Sequence, residues 1–270
     1  MKIAFLGAGK VGTNLARYFA AGGLEISGFF VRKNHSLEDL GHLIEDSDVI
    51  FITVNDDSIG DVVRTVLSLG VALEGKSFGH TCGSLSVSEL EPLREERAMV
   101  FTCHPLQTFS SLEVEEDLLR EMHFFVENLQ NPHLQLIFEK IPNPVHEIKS
   151  QDKVKYHLGA SIMANLTMGL MDFAFDLIEE IGVEKKVGYE AFKPLLKGTC
   201  AHLIASGPRA ALTGPIKRKD RDTISKHMAV LGQEDLMLYR LLALKTLNLV
   251  EDDPEKDLIE KMLKEGNING

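Results

Sequence analysis

Six residues, Gly7-Ala8-Gly9-Lys10-Val11-Gly12, have the types and spacing of a phosphate cradle. They directly follow the apolar run Ile3-Ala4-Phe5-Leu6 and open a helical stretch. In that context Gly7 allows a tight turn, Gly9 lets the backbone approach a pyrophosphate, and Gly12 lets helix and strand pack closely. Phosphates would sit at the helix N-terminus, where unspent N–H groups and the helix dipole favour an anion. The motif predicts a nicotinamide dinucleotide. The competing reading is a glycine-rich turn in an unrelated α/β protein.

The next apolar run ends Phe30-Val31-Arg32-Lys33-Asn34. Dinucleotide sites that prefer NAD place a carboxylate about 20 residues past the glycines, on the ribose hydroxyls. Here there is no acid and there are two cations. Arg32 can clamp a 2′-phosphate bidentately, so Arg32 and Lys33 predict NADP(H), with NAD(H) as the alternative; otherwise they form a solvated turn. A third run ends Thr53-Val54-Asn55-Asp56-Asp57. Ligands in such sheets bind at the carboxyl ends of the strands, which makes Val54, Asn55 and Asp56 cofactor-loop candidates, or an Asx-type turn capping the next helix.

His104 ends a short apolar strand and is followed by Pro105. An unperturbed imidazole with a pKa near 6.5 suits proton donation to a carbonyl or imine that receives hydride. The alternative is a structural histidine bonded to loop backbone. His80-Thr81-Cys82-Gly83-Ser84 ends the preceding strand. With Cys103 and His104 it raises a zinc reading, but the spacings of structural zinc sites are absent and no metal is expected. His157, Ser161 and Asn165 recur every four residues, which puts them on one helix face. They are candidates for substrate contact, or for a hydrogen-bonded stripe against other protein. The basic run Lys217-Arg218-Lys219-Asp220-Arg221 could reach an anion or simply be solvated.

The elements that must hold these groups alternate up to Lys149. Strands are expected at Lys2–Leu6, Glu25–Val31, Asp48–Val54, Lys76–Thr81, Met99–His104, His123–Asn128 and Val145–Lys149. Helices are expected at Val11–Ala21, Leu37–Ile44, Ile59–Leu69 and near Pro132–Lys140. Continuous apolar strands between helices predict a parallel sheet covered on both faces. From Gln151 helical periodicity takes over: Val154–Ile181, Ala191–Ile204, Asp222–Leu231, Glu234–Leu249 and Glu255–Lys264. The long first helix is expected to be largely buried, with Met163, Met168, Met171, Phe173 and Phe175 in its core. Asp220 and Asp222 are candidate N-caps, and Asn267–Gly270 reads as a frayed tail. The fold class is therefore α/β: residues 1–149 a Rossmann dinucleotide-binding domain, residues 150–270 an all-α domain.

The formal net charge of −11 argues against non-specific nucleic-acid binding, which needs a cationic surface. No uninterrupted apolar run reaches the roughly 18–20 residues of a bilayer span, and the apolar start is too short for a secretory signal. Three widely spaced cysteines, Cys82, Cys103 and Cys200, do not make a disulfide framework. These features lead us to expect a cytoplasmic protein without nucleic-acid or membrane partners.

Taken together, the glycine motif, His80–Leu85, His104-Pro105-Leu106-Gln107-Thr108-Phe109 and Leu212-Thr213-Gly214-Pro215 resemble one family. It is the group of Rossmann-like oxidoreductases with a C-terminal helical domain of unknown function, numbered 2520. The resemblance implies a layout similar to pyrroline-5-carboxylate reductases, ketopantoate reductases and β-hydroxyacid dehydrogenases, with a helical domain like the C-terminal one of 6-phosphogluconate dehydrogenase. β-Hydroxyacid dehydrogenases carry a catalytic lysine four residues before an asparagine. If Asn165 is that asparagine, Ser161 stands where the lysine would be, so their mechanism does not transfer. The expected function is NADP(H)-dependent hydride transfer to or from a small carbonyl, imine or hydroxy compound in an interdomain cleft, with His104 or His157 giving the proton. The alternatives are a non-catalytic NADP(H) sensor and a metal-assisted enzyme. The helical domain is expected to form a homodimer.

Overall fold

The computed structural model describes residues 1–265; the expected tail Asn267–Gly270 lies outside them. Seven strands form one sheet in the order β2-β1-β3-β4-β5-β6-β7. They are β1 Lys2–Leu6, β2 Glu25–Phe30, β3 Val49–Ile52, β4 Ser77–His80, β5 Met99–Leu106, β6 His123–Glu127 and β7 Val145–Glu147. Helices α1 Lys10–Ala21, α2 Leu37–Glu45, α3 Ile59–Ser68, α4 Glu91–Glu95, α5 Glu116–Glu121 and α6 Pro132–Phe138 alternate with them. Sequence and structure agree closely on the strands. β3 and β4 are each a residue or two shorter at both ends than expected, while β5 runs two residues further.

The alternation of side chains along each strand feeds two cores. Ile3, Phe5, Phe51, Phe101 and Phe124 pack on one face with Leu15 and Phe19 of α1. Ala4, Leu6, Ile50 and Phe78 pack on the other with Leu40, Ile44 and Val63. Each such buried side chain is worth roughly 1.5–3 kcal/mol, which explains why every residue of β3 is buried. The helices between the strands start on explicit signals. Ser36 and Asp39 form a capping box on α2, and the Asn131 side chain accepts from the His133 and Leu134 amides at α6.

One expectation about the sheet is corrected. β1 to β5 are mutually parallel, but β6 runs antiparallel to β5 and parallel to β7. The reversal turns the His123–Glu127 segment back across β5, and the chain after β7 sets Lys153 against Thr102 and Tyr156 against His104. This is a Rossmann-like sheet with one reversed strand pair.

The expected long helix begins as α7 Lys153–Ser161, widens into a π-helical segment Ile162–Leu166, and continues as α8 Thr167–Glu180. It is not buried as expected. Met163 is 70% exposed and Met168 63%, and Val154, Leu158, Ile162 and Leu166 are exposed as well. The apolar character expected of a core helix is there, but among the described residues nothing covers it. Ser150–Glu180 is long and apolar enough, by length and composition, to cross a membrane, with a mean hydropathy of 1.3. Counting uninterrupted apolar runs misses this, because polar residues break every run.

The chain divides into two compact units, Met1–Leu170 and Met171–Gly270. Sheet gives way to helix after Glu147, yet α7 belongs to the first unit because its side chains bond to the strand ends. The second unit contains α9 Lys185–Ala211, α10 Gly214–Arg218, α11 Arg221–Ala229, α12 Gln233–Leu247 and α13 Pro254–Glu265. Ile216, Ile224, Ala243, Leu247, Val250, Ile259 and Leu263 form its core. Gly207 (φ 75°, ψ 169°) breaks α9, and Asp220 caps α11 by accepting from the Thr223 amide at 3.0 Å.

Candidate active site

Register sets the site. Leu6, Ile52, His80 and Thr102 stand side by side across β1, β3, β4 and β5. The loops after them therefore leave the same edge of the sheet. At about 4.8 Å per strand, β1 and β5 lie roughly 14 Å apart.

The glycine turn is built as its spacing requires. Gly7 has φ +115°, a conformation that only glycine adopts without strain, and a Cβ there would lie 2.8 Å from the Thr53 carbonyl oxygen. A Cβ on Gly12 would lie 2.5 Å from Thr53 Oγ1 and 2.6 Å from the Gly7 oxygen. Thr53 Oγ1 donates to that same Gly7 carbonyl at 2.7 Å, so β3 braces the turn from below. Gly9 is different, because nothing lies within 4 Å of its Cβ position. It is the N-cap of α1 with no side-chain cap and no acid in the first turn, so the first amides of α1 have no capping side chain. Ala8 and Lys10 are exposed and Val11 half-buried. These are the features an anion cradle needs.

Arg32 and Lys33 are exposed past the end of β2, and among the described residues neither forms an ion pair. Beside them His35 Nδ1 accepts from the Val31 amide at 2.9 Å, which pins the turn. Val54 is half-buried, while Asn55 and Asp56 are exposed at the start of a short 3-10 turn, Asp56–Ser58. Asn14, one turn into α1, donates to the Lys10 and Ser111 carbonyls and accepts from the Val114 amide. It thereby ties the loop after β5 to the cradle helix.

At the β4 and β5 end the histidines separate into two roles. His80 is fully buried; its Nε2 bonds the Ser86 carbonyl at 3.1 Å and its Nδ1 the Cys82 amide at 3.3 Å. It is a satisfied structural histidine, and burial lowers its pKa to about 4. His104 is half-buried, with Nδ1 2.7 Å from the Tyr156 hydroxyl. The His157 ring crosses it at 6.2 Å and 77°. Gly83 is glycine because a Cβ there would lie 2.6 Å from His157 Cδ2 and 2.9 Å from His104 Nε2. Burial first, then the nearby Lys153 and His157, lowers the His104 pKa to about 4. This corrects the expectation of an unperturbed imidazole acid: at neutral pH His104 carries no charge.

Beneath them lies a buried network absent from the sequence reading. Lys153 (1% exposed) donates to Thr102 Oγ1 at 2.9 Å and to the Cys82 carbonyl at 3.2 Å, and lies 3.3 Å from Glu127 (3% exposed). Glu127 also accepts from the Thr102 hydroxyl, the Val87 amide and Ser150. Burial lowers the Lys153 pKa and Glu127 opposes that. The signals were present: one acid in an apolar strand, and Lys153, Tyr156 and His157 at helical spacing.

Ser161 and Asn165 form no side-chain hydrogen bond among the described residues. Ser161 is half-buried; Asn165 is exposed within the π-helical segment. That segment alters the helical register on which their shared face was predicted. Cys103 is fully buried and Cys82 nearly so. Among the described residues no three His, Cys, Asp or Glu side chains converge to hold a metal.

Residues 123–246 match the family described as Domain of unknown function (DUF2520). This is the group the sequence motifs resemble; the match includes Leu212–Pro215, whereas His104–Phe109 precede it. No curated protein matches the chain significantly. Solved structures share the fold over nearly the whole length. Protein TM1727 from Thermotoga maritima is 22% identical with a TM-score of 0.69, the alignment covering 92% of this chain and 97% of that one. BF3122 from Bacteroides fragilis, provisionally described as an NADP oxidoreductase, is 24% identical with a TM-score of 0.64, covering 91% and 97%. The Plasmodium falciparum pyrroline carboxylate reductase, with NADP bound, is 18% identical with a TM-score of 0.54, covering 99% and 98%.

Proposed function

We propose that this protein is an NADP(H)-dependent oxidoreductase acting on a small carbonyl, imine or hydroxy compound beside His104, with NAD(H) as the alternative cofactor. The observation that carries the reading is the cradle: Gly7 and Gly12 have no room for a side chain, Gly9 opens onto free space, and the α1 amides are uncapped. Gly7 to Gly12 would hold the pyrophosphate. Arg32 and Lys33, without anionic partners among the described residues, would meet the adenosine 2′-phosphate. Val54, Asn55 and Asp56 would border the nicotinamide ribose. When bound, the nicotinamide supplies or takes the hydride. His104 and His157 would face the reacting carbon, with Ser161 and Asn165 further along the same helix. The fold shared with a reductase that carries NADP supports this choice.

The exposed apolar side chains of α7 and the π-helical segment also support a homodimer, since patches this long are rarely left in water. Lys155, Asp172 and Asp176 bracket that stretch and make lipid a costly alternative.

Titration with NADPH and NADH, read by nicotinamide fluorescence, tests the cofactor reading. NADPH should bind at least tenfold more tightly, about 1.4 kcal/mol, and Arg32→Asp should abolish the preference. Binding of neither nucleotide refutes it.

A further inference from the structure

The Tyr156–His104 contact has a direction. Among the described residues, neither the Tyr156 hydroxyl nor the His104 ring has a second hydrogen-bond partner beside this 2.7 Å contact. If Nδ1–H donated to the phenol oxygen, the hydroxyl proton and the Nε2 lone pair would both be left unspent. If the hydroxyl donates to Nδ1, the Nε2–H and the phenol oxygen's lone pairs remain. The second arrangement is favoured because a phenol is a stronger donor than a neutral imidazole and its oxygen a weaker acceptor than a ring nitrogen. The rings meet edge-on at 83°, and Tyr156 is itself held by Phe125 at 4.2 Å between ring centroids.

The surroundings oppose a second proton on the ring. Burial acts first; from α7 come the Lys153 cation and His157, with the Tyr156 hydroxyl on Nδ1; from the turn after β3 comes Asp56, whose opposing influence is the smallest. Gly83 keeps the Nε2 edge uncovered, since any side chain there would sit 2.9 Å from it.

We propose that Tyr156 fixes His104 as an Nε2–H donor, so that the site takes a ligand presenting a carbonyl oxygen and rejects a protonated imine. This rests on the oxidoreductase reading and narrows its substrate class. A carbonyl oxygen accepts from Nε2–H. A protonated imine would set donor against donor, beside the buried Lys153 cation. Tyr156 is a positioning residue: burial raises its pKa, so it keeps its proton and sets the tautomer.

The test is long-range ¹H–¹⁵N NMR of the histidine rings in the full-length protein with NADPH added. His104 should be a single Nε2–H tautomer that does not titrate between about pH 5 and 8. Tyr156→Phe should populate both tautomers with NADPH affinity unchanged. Pyruvate should move the His104 signals, and protonated 1-pyrroline should move them less. An Nδ1–H tautomer, titration within that window, or a response to 1-pyrroline equal to or larger than that to pyruvate overturns the proposal. Loss of NADPH binding in the unmodified protein would instead refute the oxidoreductase reading, and the tautomer result separates the two failures.

Discussion

Two glycines three residues apart in the same motif, Gly9 and Gly12, should fail in opposite ways when each gains a methyl group. In Gly12→Ala the new Cβ lies 2.5 Å from Thr53 Oγ1 and 2.6 Å from the Gly7 carbonyl oxygen. The hydroxyl could rotate, but the carbonyl is backbone and already accepts the Thr53 bond. Helix and strand must move apart, an overpacking cost of about 1–3 kcal/mol. In Gly9→Ala the backbone angles are ordinary (φ −76°, ψ −176°) and no atom lies within 4 Å. Loss of a good N-cap residue costs up to about 1 kcal/mol, and reduced freedom of the unfolded chain returns roughly 0.4–1 kcal/mol. Stability should therefore be nearly unchanged, while the methyl occupies the space a phosphate needs. Urea unfolding and NADPH fluorescence titration on both variants give the comparison. Gly12→Ala should lose stability; Gly9→Ala should keep it and bind NADPH at least tenfold more weakly, about 1.4 kcal/mol. Undiminished NADPH binding by Gly9→Ala would refute the reasoning, because the open space would then not be the phosphate site.

Three further outcomes follow from the same structure. Lys153→Met should destabilise the fold by about 3–5 kcal/mol by stranding Glu127 in the interior, and Lys153→Met with Glu127→Gln should recover much of the loss; chemical denaturation of both variants measures it. His80 and His104 refuse a proton in the fold, with pKa values near 4, that the unfolded chain accepts below about pH 6.5. Stability is therefore complete above that value and should drop, by up to roughly 3 kcal/mol per histidine, as the pH falls through 6.5 toward 4; a pH series of unfolding curves that stays flat there would contradict the burial argument. Sedimentation at micromolar concentration should give a dimer, and Leu158→Lys with Met163→Lys a monomer; a monomeric parent protein removes the dimer.

Most of the first unit was legible because local pattern and tertiary role coincide there. An apolar strand, a glycine turn and a helix in succession leave one arrangement, and β1, α1 and β3 take it. The reversal at β6 was not legible, because His123–Glu127 reads as apolar in either direction and only pairing with Thr102–Leu106 sets its sense. His104 was found by its expected place at a strand end, but its ionisation depends first on burial and then on Lys153, 49 positions away and inconspicuous in a helix that also carries Lys155. Tyr156 was missed for the same reason: its importance comes from Phe125 and His104, which the sheet supplies. The helix exposure was misread because apolar composition indicates that a surface should be covered without indicating by what.

The Asn14 side chain carries a consequence for how the chain is made. Its partners Ser111 and Val114 lie 97 and 100 residues downstream, and the Lys153 ammonium meets Thr102 across 51 residues. A ribosome that has delivered the chain only as far as the end of α1 has produced Asn14 before the carbonyl and amide it will bond. The glycine turn acquires its final surroundings only after Val114 has emerged, and the histidine end only after Tyr156 and His157 have. Such late closure leaves the nascent sheet with open edges and apolar surface for much of synthesis. Cofactor present during translation would thus find no finished cradle to capture until its distant clamp had been made.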